Sequence, residues 1–387
     1  MVNKKNVLFV VDERRMGGVS ILLSDILHKI NLNKYNIDVL VLHDDGDYLE
    51  DLPKEVNVFF GTQFFMSVDY TISEVLKSMN LKRIFAKTRL VLLMKTKRIG
   101  KRIIKERKKI LKKQYDVEIT FKDGFCALFT AYGDSLKKYH WLHADYRLFD
   151  STSKYHDLFQ EIYPRFDKII GISNGILEHF KEKYEVNKTD VIYNLIDVDK
   201  VINKSNEKKI KFDNNELNLV AVGRLHPVKG YDRLIEAFHR LDMENKLKNV
   251  KMRIIGDGPM YEILKNKIKE YHLEDKILLL GRMTNPYPYL KASDMFIMCS
   301  TSEGYPLVLI ESLILHVPIF SLRLASIDEI MKKGYGLIYE NDEENLYKGL
   351  LEVINNKNQI DKYKDNLKDY NYDTKKIINQ IEKLLDE

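Results

Sequence analysis

Short apolar runs alternate with longer amphipathic segments along the whole chain, which indicates strands alternating with helices. In the first half the predicted strands are Val7–Val11, Ile37–Leu42, Val56–Phe60, Val117–Phe121, Tyr139–Leu142, Lys168–Ile172 and Asp190–Tyr193. Amphipathic periodicity at Val19–Ile30 and Asn174–Lys183 predicts two of the helices between them. The strands are continuously apolar rather than alternating, as in a sheet that is buried on both faces. This pattern predicts a parallel sheet with helices on each side.

The alternation restarts after a polar stretch, Asn203–Glu216, which is rich in Lys, Asn and Glu and has no apolar period. We interpret this stretch as a linker or outer loop between two halves. The strands predicted after it are Leu217–Val222, Val250–Ile255, Ile277–Leu280, Met295–Met298, Pro318–Ser321 and Gly336–Ile338. The helices predicted between them are Tyr231–Leu241, Met260–Tyr271, Pro306–Leu315 and Asn345–Asn355. Two doubly wound units in tandem predict a ligand cleft between them, at the carboxyl ends of both sheets.

Length and composition agree with two ordinary soluble domains. The 387 residues exceed one typical core, and hydrophobic and charged contents of 44% and 31% are those of a globular protein. Cys126 and Cys299 lie far apart in apolar runs, so we expect buried thiols, as in a reducing cytoplasm. The apolar run that ends at Val11 is too short for a signal peptide. No stretch approaches the roughly 20 apolar residues of a membrane-spanning helix, so we expect a soluble or peripheral chain.

The segment Ser300–Ser312, STSEGYPLVLIES, follows a predicted strand and opens a predicted helix. Pro306 suits a first helical turn, and Gly304 lets the backbone approach a ligand. Exposed N–H groups and the helix dipole at this point favour a phosphate. Glu303 and Glu311 bracket this anion site and can accept hydrogen bonds from sugar hydroxyls. The alternative is a pair of solvated acids, which fits the apolar surroundings of Glu311 poorly.

A second segment, Val220–Phe238 (VAVGRLHPVKGYDRLIEAF), combines a strand, a glycine turn, a basic loop and a helix. Arg224 and Lys229 lie in the loop, where both can make charge-assisted hydrogen bonds to a pyrophosphate. Two cations in a loop are common, so the residues alone leave an ordinary surface loop open. The loops IIGDGP (Ile254–Pro259) and GRM (Gly281–Met283) follow two further strands, although GDG by itself is only a turn signal.

The spacing Glu-x7-Glu in SEGYPLVLIES resembles the signature of the family 4 retaining glycosyltransferases, and GRL followed by three residues and KG resembles a second pattern of that family. The resemblance implies an α/β fold of the GT-B type, with two Rossmann-like doubly wound domains facing each other across a deep cleft. It implies an acceptor-binding domain over residues 1–200, with a basic amphipathic insertion at about 72–113. A nucleotide-sugar-binding domain would span 201–370, and a helix over 371–387 would cross back to the first domain.

The resemblance also implies the roles of the donor-site residues. Glu303 would contact the transferred sugar and Glu311 the ribose. Arg224 and Lys229 would stabilise the leaving diphosphate and count with Glu303 as catalytic. The implied donor-binding set also contains residues of the loops and of the helix start, namely Gly256, Arg282, Met283, Gly304, Tyr305, Leu307 and Val308.

Met16–Ser20 (MGGVS) lies between the first strand and the first helix. It lacks the spacing of the dinucleotide fingerprint, and on its own it is equally well a plain turn. It resembles the paired-glycine loop of the family, which implies that Gly17 and Gly18 approach the donor phosphate.

The segment Tyr139–Tyr146 (YHWLHADY) carries the remaining candidates. The strand that ends before His143 places this histidine at the carboxyl edge of the sheet, whereas we expect His140 to be structural. By resemblance, His143 would contact the donor sugar, assist electrostatically and count as catalytic. Asp145 would hydrogen-bond the acceptor.

Two departures from the family pattern bear on the sugar pocket. His316 stands where the family usually has a glycine, and the loop Arg323–Glu329 (RLASIDE) lacks the usual glycines. The identity of the donor sugar therefore does not follow from the resemblance.

A basic segment sets the N-terminal half apart. From Lys77 to Lys113 the chain has sixteen Lys or Arg residues and one acid, Glu106, in a protein of net charge +6. Within Ile72–Lys113, apolar residues recur among the cations at roughly helical spacing, namely Ile84, Leu90, Leu93, Met94, Ile99, Ile103 and Ile110. A basic amphipathic helix is typical of membrane-surface or partner-helix binding, with nucleic acid and a solvated helical face as alternatives. We expect residues 77–113 to dock on an anionic membrane, and no nucleic-acid binding.

Together these features predict a retaining, metal-independent glycosyltransferase. It would move a hexose or N-acetylhexosamine from a nucleotide sugar, UDP-linked, to a hydroxyl of a lipid-linked or polymeric glycan in bacterial polysaccharide biosynthesis. We expect no cofactor and no metal, and a cytoplasmic, peripheral location on the inner face of the cell membrane. Three alternatives stay open: a metal-dependent GT-A transferase, suggested by Asp45-Gly46-Asp47, a nucleotide-sugar epimerase of the same fold, and a catalytically silent, membrane-docked nucleotide-sugar-binding scaffold.

Overall fold

The computed structural model describes residues 4–12, 18–43, 52–65, 79–147, 153–186, 188–332 and 334–387. The chain divides into two compact units. Unit 1 comprises Met1–Leu195 and Lys375–Glu387, and unit 2 comprises Ile196–Thr374. The division falls within a few residues of the boundaries predicted at 200 and 370.

Unit 1 has a parallel sheet whose described strands lie in the order β3-β2-β1-β4-β5-β6-β7. The strands are β1 Lys5–Val11, β2 Tyr35–Val41, β3 Asn57–Phe60, β4 Val117–Thr120, β5 Lys137–Leu142, β6 Lys168–Gly171 and β7 Thr189–Val191. The described helices are α1 Gly18–Lys29, α2 Leu81–Lys95, α3 Ile99–Ile110, α4 Phe125–Ala131, α5 His156–Ile162 and α6 Asn174–Lys181. Every residue of β4 is buried, as expected for a central strand covered on both faces.

Unit 2 repeats the plan with a six-stranded parallel sheet in the order β10-β9-β8-β11-β12-β13. Its strands are β8 Leu217–Val222, β9 Val250–Ile255, β10 Ile277–Leu279, β11 Met295–Met298, β12 Ile319–Leu322 and β13 Gly336–Tyr339. Its helices are α7 Val198–Asn206, α8 Tyr231–Met243, α9 Tyr261–Glu270, α10 Tyr287–Ala292, α11 Leu307–Ile314, α12 Ile327–Ile330, α13 Glu343–Asn355 and α14 Lys357–Leu367. The predicted α/β class, with two Rossmann-like parallel sheets, is confirmed.

The strand order of unit 2 has one switch point. From β8 the chain builds β9 and β10 on one side and then returns to build β11, β12 and β13 on the other. The loops after β8 and β11 therefore flank the crevice at which open parallel sheets bind ligands.

The predicted linker Asn203–Glu216 is wrong in its first part. Helix α7 continues to Asn206, and the Asp197 side chain caps it by accepting from the Lys200 N–H at 3.2 Å. The buried face of this short helix consists of Val201 and Ser205. Because one of these two residues is polar, the sequence shows no apolar period here.

Residues 79–113 of the basic segment form two helices instead of one continuous cationic face, because Lys97 turns the chain with a φ of 54° between α2 and α3, and residues 72–78 lie outside the described residues. Arg107 is buried, and its guanidinium donates to both oxygens of the buried Glu118 at 2.7 and 2.8 Å. Glu106 is buried as well and accepts from Thr62 and Lys109. Part of the local positive charge therefore belongs to the core of unit 1.

The last helix, α15 (Thr374–Asp386), packs on unit 1 through Ile377, Ile381, Leu384 and Leu385. Tyr35 donates its hydroxyl to Asp386 at 2.8 Å. The Lys5 ammonium donates to the carbonyl of Leu385 at 3.2 Å. This helix thus covers the amino-terminal ends of β1 and β2.

Cys126 and Cys299 are free, buried thiols, as predicted. Among the described helices, none combines the length and the apolar character that crossing a bilayer requires. In the same residues no cluster of three or more His, Cys, Asp or Glu side chains could hold a metal ion. Asp45 and Asp47 lie outside the described residues.

Candidate donor site

Two loops meet at the switch point of unit 2. One follows β8 and ends in a short 3-10 helix, Pro227–Lys229, and the other follows β11. The Thr301 N–H donates to the Val228 carbonyl at 2.8 Å, and the Cys299 thiol donates to the Lys229 carbonyl at 3.2 Å. The fold therefore brings the motif with Arg224 and Lys229 into direct contact with the motif that begins at Ser300.

Glycines permit this close approach. Gly230 has a φ of 67°, and a Cβ there would lie 2.2 Å from the Cys299 carbonyl oxygen. Gly256, one of the predicted donor residues, has a φ of 155°, and a Cβ there would lie 1.9 Å from the Gly223 carbonyl oxygen. Any side chain at either position would separate the loops or strain the backbone.

Lys229 and Glu303 form an ion pair between the two loops, with 2.5 Å from Nζ to Oε1. The two side chains are 23% and 16% exposed, so both remain accessible to a ligand. The Ser300 hydroxyl donates to the same carboxylate oxygen at 2.8 Å. A cation and a carboxylate thus lie side by side at the switch point, where the cation can bind a phosphate and the carboxylate can accept from a sugar hydroxyl.

Asn341, after β13, connects the loop that follows β11 to its neighbours, a role that no sequence pattern predicted. Its amide nitrogen donates to the carbonyls of Ser300 at 3.0 Å and Arg323 at 3.1 Å. Its amide oxygen accepts from Arg233 at 3.1 Å, and Arg233 also donates to the Cys299 carbonyl at 2.7 Å. One side chain therefore joins the carboxyl ends of β11, β12 and β13.

We expect Asn341→Ala to lower the free energy of unfolding by about 1–2 kcal/mol, because these backbone carbonyls lose a donor. Urea unfolding followed by circular dichroism measures the change. Asn366→Ala is the matched control, because the exposed Asn366 amide donates to a single carbonyl, that of Gly334 at 3.0 Å. Its expected cost is below about 0.5 kcal/mol. Equal effects of the two substitutions would contradict the role given to Asn341.

Helix α11 carries the second predicted carboxylate. It begins at Leu307, so Pro306 occupies the cap position and not the first helical turn. Leu307 and Val308 lie in the first turn, where backbone N–H groups have no partner within the helix. Glu311 is half-buried and accepts a hydrogen bond from the Tyr287 hydroxyl at 2.9 Å.

The other predicted donor residues of unit 2 lie at the same edge of the sheet. Arg224 follows β8 and is exposed, and Arg282 and Met283 follow β10. Gly304 and Tyr305 lie between β11 and α11. The parallel strands thus gather all the predicted donor residues of this unit at their carboxyl ends.

Unit 1 carries the other predicted site residues. Gly18 is the first residue of α1, and Gly17 lies outside the described residues. His143 follows β5, and its ring packs against Phe121, with 4.6 Å between the ring centres, and against Trp141. His143 Nε2 is buried without a hydrogen-bond partner among the described residues. His140 is fully buried and stacks on Tyr163, as expected for a structural histidine.

Burial lowers the pKa of His143 to about 3, although the carboxylate of Asp123 opposes the shift. The imidazole is therefore neutral at pH 7, where it can hydrogen-bond a sugar but provides no positive charge. The predicted electrostatic assistance would need a source other than an imidazolium.

This pKa makes stability depend on pH. In the unfolded chain, His143 becomes protonated below a pH of about 6.5. In the native state it becomes protonated only near pH 3, so the proton favours the unfolded chain between these values. We expect the wild type to lose stability relative to His143→Phe as the pH falls from 6.5 to 5, by at most about 1.4 kcal/mol per unit. Urea unfolding of both proteins at each pH measures this difference, and a difference independent of pH would contradict it.

Asp145, the predicted acceptor residue, is buried and already engaged. Its Oδ1 lies 2.7 Å from His179 Nδ1 and accepts from the Arg147 N–H at 3.0 Å. These contacts give Asp145 a structural role in the loop after β5, and its contact to an acceptor stays a prediction.

The comparisons with known proteins agree with this geometry. Residues 203–374, which carry both loops, match the family described as glycosyl transferases group 1. The match is confined to this segment, which is less than half of the chain. The resemblance seen in the sequence is thereby confirmed for the segment that holds Lys229, Glu303 and Glu311.

Two curated relatives are similar to about half of the chain. An N-acetylgalactosaminyltransferase of Campylobacter jejuni, named for a diphospho-undecaprenol-linked acceptor, is 32% identical over 215 residues, which are 54% of this chain and 56% of the relative. The UDP-Gal:alpha-D-GlcNAc-diphosphoundecaprenol alpha-1,3-galactosyltransferase of Escherichia coli is 30% identical over 178 residues, 44% of this chain and 46% of the relative. The chain thus spans about half the length of these relatives.

The fold likeness covers almost the whole chain. The crystal structure of Anabaena HepE in complex with UDP has a TM-score of 0.70 and 17% identity, and the likeness covers 98% of this chain and 99% of HepE. The predicted GT-B fold class is confirmed.

Proposed function

We propose that this protein is a retaining glycosyltransferase that transfers a hexose or N-acetylhexosamine from a UDP-sugar to a hydroxyl of a lipid-linked or polymeric glycan. The observation that carries the proposal is the Lys229–Glu303 pair at the switch point of a group 1 unit. The UDP in the HepE structure and the undecaprenol-linked acceptors in the names of two relatives support the substrates.

In this proposal the donor diphosphate lies between the cations and the start of α11. Negative charge develops on the diphosphate as the sugar departs, and Lys229, Arg224 and the N–H groups near Leu307 and Val308 would stabilise it. Lys229 would exchange Glu303 for the diphosphate, which frees the Glu303 carboxylate for a sugar hydroxyl. These groups supply the charge that many transferases take from a metal ion, so we propose metal-independent transfer.

A thermal-shift comparison of UDP, GDP, ADP and NAD tests the donor. A nucleotide at 100 times its dissociation constant adds about 2.7 kcal/mol to the free energy of unfolding. We expect stabilisation by UDP that Lys229→Ala removes. No response to any nucleotide would contradict the proposed donor site.

Turnover tests the reaction class. With a UDP-sugar and a prenyl-diphosphate-linked glycan, we expect a product whose anomeric configuration equals that of the donor, read by proton NMR coupling. The rate should persist in EDTA. Inversion at the anomeric carbon, loss of the rate with EDTA, or conversion of the donor sugar without any acceptor would each overturn a stated part of the proposal.

We also propose that α2 docks unit 1 on an anionic membrane, peripheral to the cytoplasmic face. Leu81, Phe85 and Leu92 are 80%, 70% and 60% exposed, and their spacing puts them on one side of the helix. The exposed cations Lys82, Arg89 and Lys95 flank this apolar stripe. An exposed apolar stripe flanked by cations is typical of helices that lie in a lipid interface.

Co-sedimentation with vesicles of phosphatidylglycerol and phosphatidylcholine tests the docking. We expect Leu81→Ser/Phe85→Ser to weaken binding to anionic vesicles at least tenfold, since each buried apolar side chain contributes about 1.5–3 kcal/mol. Leu136→Ser is the matched control, because Leu136 is 67% exposed elsewhere on unit 1. High salt should weaken binding further. Unchanged binding by the double variant would overturn the docking surface.

A further inference from the structure

A tyrosine from a neighbouring helix holds the carboxylate of Glu311. The Tyr287 hydroxyl donates to Glu311 Oε1 at 2.9 Å, and both side chains are half-buried in unit 2. The two residues lie on consecutive helices, α10 and α11, which are separated by strand β11. The contact therefore fixes the orientation of a carboxylate that rotates freely in most glutamates.

Tyr287 is itself held in place. Its backbone N–H, at the start of α10, donates to the Asn285 side chain at 3.2 Å. The Asn285 amide donates in turn to the Lys204 carbonyl at 2.9 Å and to the Glu207 carboxylate at 2.7 Å. Lys204 lies in the last turn of α7, and Glu207 directly follows this helix. Helix α7 packs against both α10 and α11. Helix α7 thus supports both the helix that carries Tyr287 and the helix that carries Glu311.

We propose that Tyr287 is a positioning residue for recognition of the donor ribose, an inference that rests on the proposed function of Glu311. A carboxylate oxygen can accept two hydrogen bonds, so Oε1 can accept from Tyr287 and from a ribose hydroxyl at once. The carboxylate is then already oriented towards the vicinal hydroxyls before the donor binds. This lowers the ordering cost of binding and favours ribonucleotides over nucleotides that lack these hydroxyls.

The test uses Tyr287→Phe, which keeps the ring and removes the hydroxyl. Tyr271→Phe is the matched control, because the Tyr271 hydroxyl donates to Glu236 at the same distance of 2.9 Å. Calorimetry measures the dissociation constants of UDP and of 2′,3′-dideoxy-UDP. We expect Tyr287→Phe to weaken UDP about tenfold, to leave dideoxy-UDP unchanged, and to raise KM for the donor with little change in kcat. Tyr271→Phe should change none of these values.

The outcomes separate this inference from the proposed donor site. If Glu311→Gln weakens UDP but Tyr287→Phe does not, the positioning role is overturned and the donor site stands. If Tyr287→Phe weakens UDP and dideoxy-UDP equally, its effect is merely structural and the inference also fails. If the wild type does not bind UDP, or Glu311→Gln binds it unchanged, the proposed donor site fails and the inference with it.

Discussion

Lys229→Ala and Glu303→Ala should each lower the rate of sugar transfer by about 100-fold or more while the protein stays folded. Loss of one group that stabilises developing charge commonly costs a factor of this size. The effect on stability should be small, because the 2.5 Å ion pair is partly exposed and such pairs contribute about 0–1 kcal/mol. Initial rates with the donor that the nucleotide panel identifies, together with thermal unfolding, give both quantities.

The chain offers a close control for Lys229. Lys267 on α9 forms a similar pair with Glu236, at 2.6 Å, and its side chain is 22% exposed compared with 23% for Lys229. Lys267→Ala removes the same charge from the same unit and should leave the rate unchanged. Wild-type rates for Lys229→Ala and Glu303→Ala, or an equal loss for Lys267→Ala, would refute the assignment of the site.

Arg107→Met should destabilise the protein by about 3–5 kcal/mol, the cost of leaving a buried charge without its partner. Glu118 is fully buried and accepts from Arg107 at both of its oxygens, and the Ser135 hydroxyl also donates to Oε2 at 2.7 Å. Arg107 also donates to the Phe129 carbonyl at 2.9 Å. Denaturant unfolding measures the loss.

Two further variants distinguish the effect of losing a buried, paired charge from the effect of losing any positive charge. Lys108→Met removes the neighbouring exposed cation and should change stability by less than about 0.5 kcal/mol. Arg107→Met combined with Glu118→Met removes both buried charges and should recover much of the loss. If Arg107→Met were as harmless as Lys108→Met, the buried pair would not be an important part of the core.

The sequence was sufficient for the sheets because strands buried on both faces leave short, continuously apolar runs between longer amphipathic segments. Leu217–Val222, Val250–Ile255 and Met295–Met298 were predicted with their observed bounds. The helix ends were less accurate, since caps such as Asp197 depend on one hydrogen bond and not on a period.

The site was predictable only where a motif repeats a known pattern. Glu303, Lys229 and Glu311 stand at motif positions, and the topology then gathers them at one edge. Asn341 and Tyr287 could not be found in this way, because their roles depend on hydrogen bonds between different secondary-structure elements. Arg107 shows the same limit, since its charge was visible in the sequence but its burial was not.

The return of α15 to unit 1 has a consequence for synthesis. Because unit 2 occupies Ile196–Thr374 without interruption, a ribosome completes it before residues 375–387, which finish unit 1, have been made. The two ends of the inserted unit meet, since the Thr374 hydroxyl donates to the Ile196 carbonyl at 2.8 Å. Unit 2 can therefore be excised as one continuous piece, whereas unit 1 can be made alone only by splicing Leu195 to Lys375. Translation that stops within α15 would release a finished unit 2 attached to an unfinished unit 1.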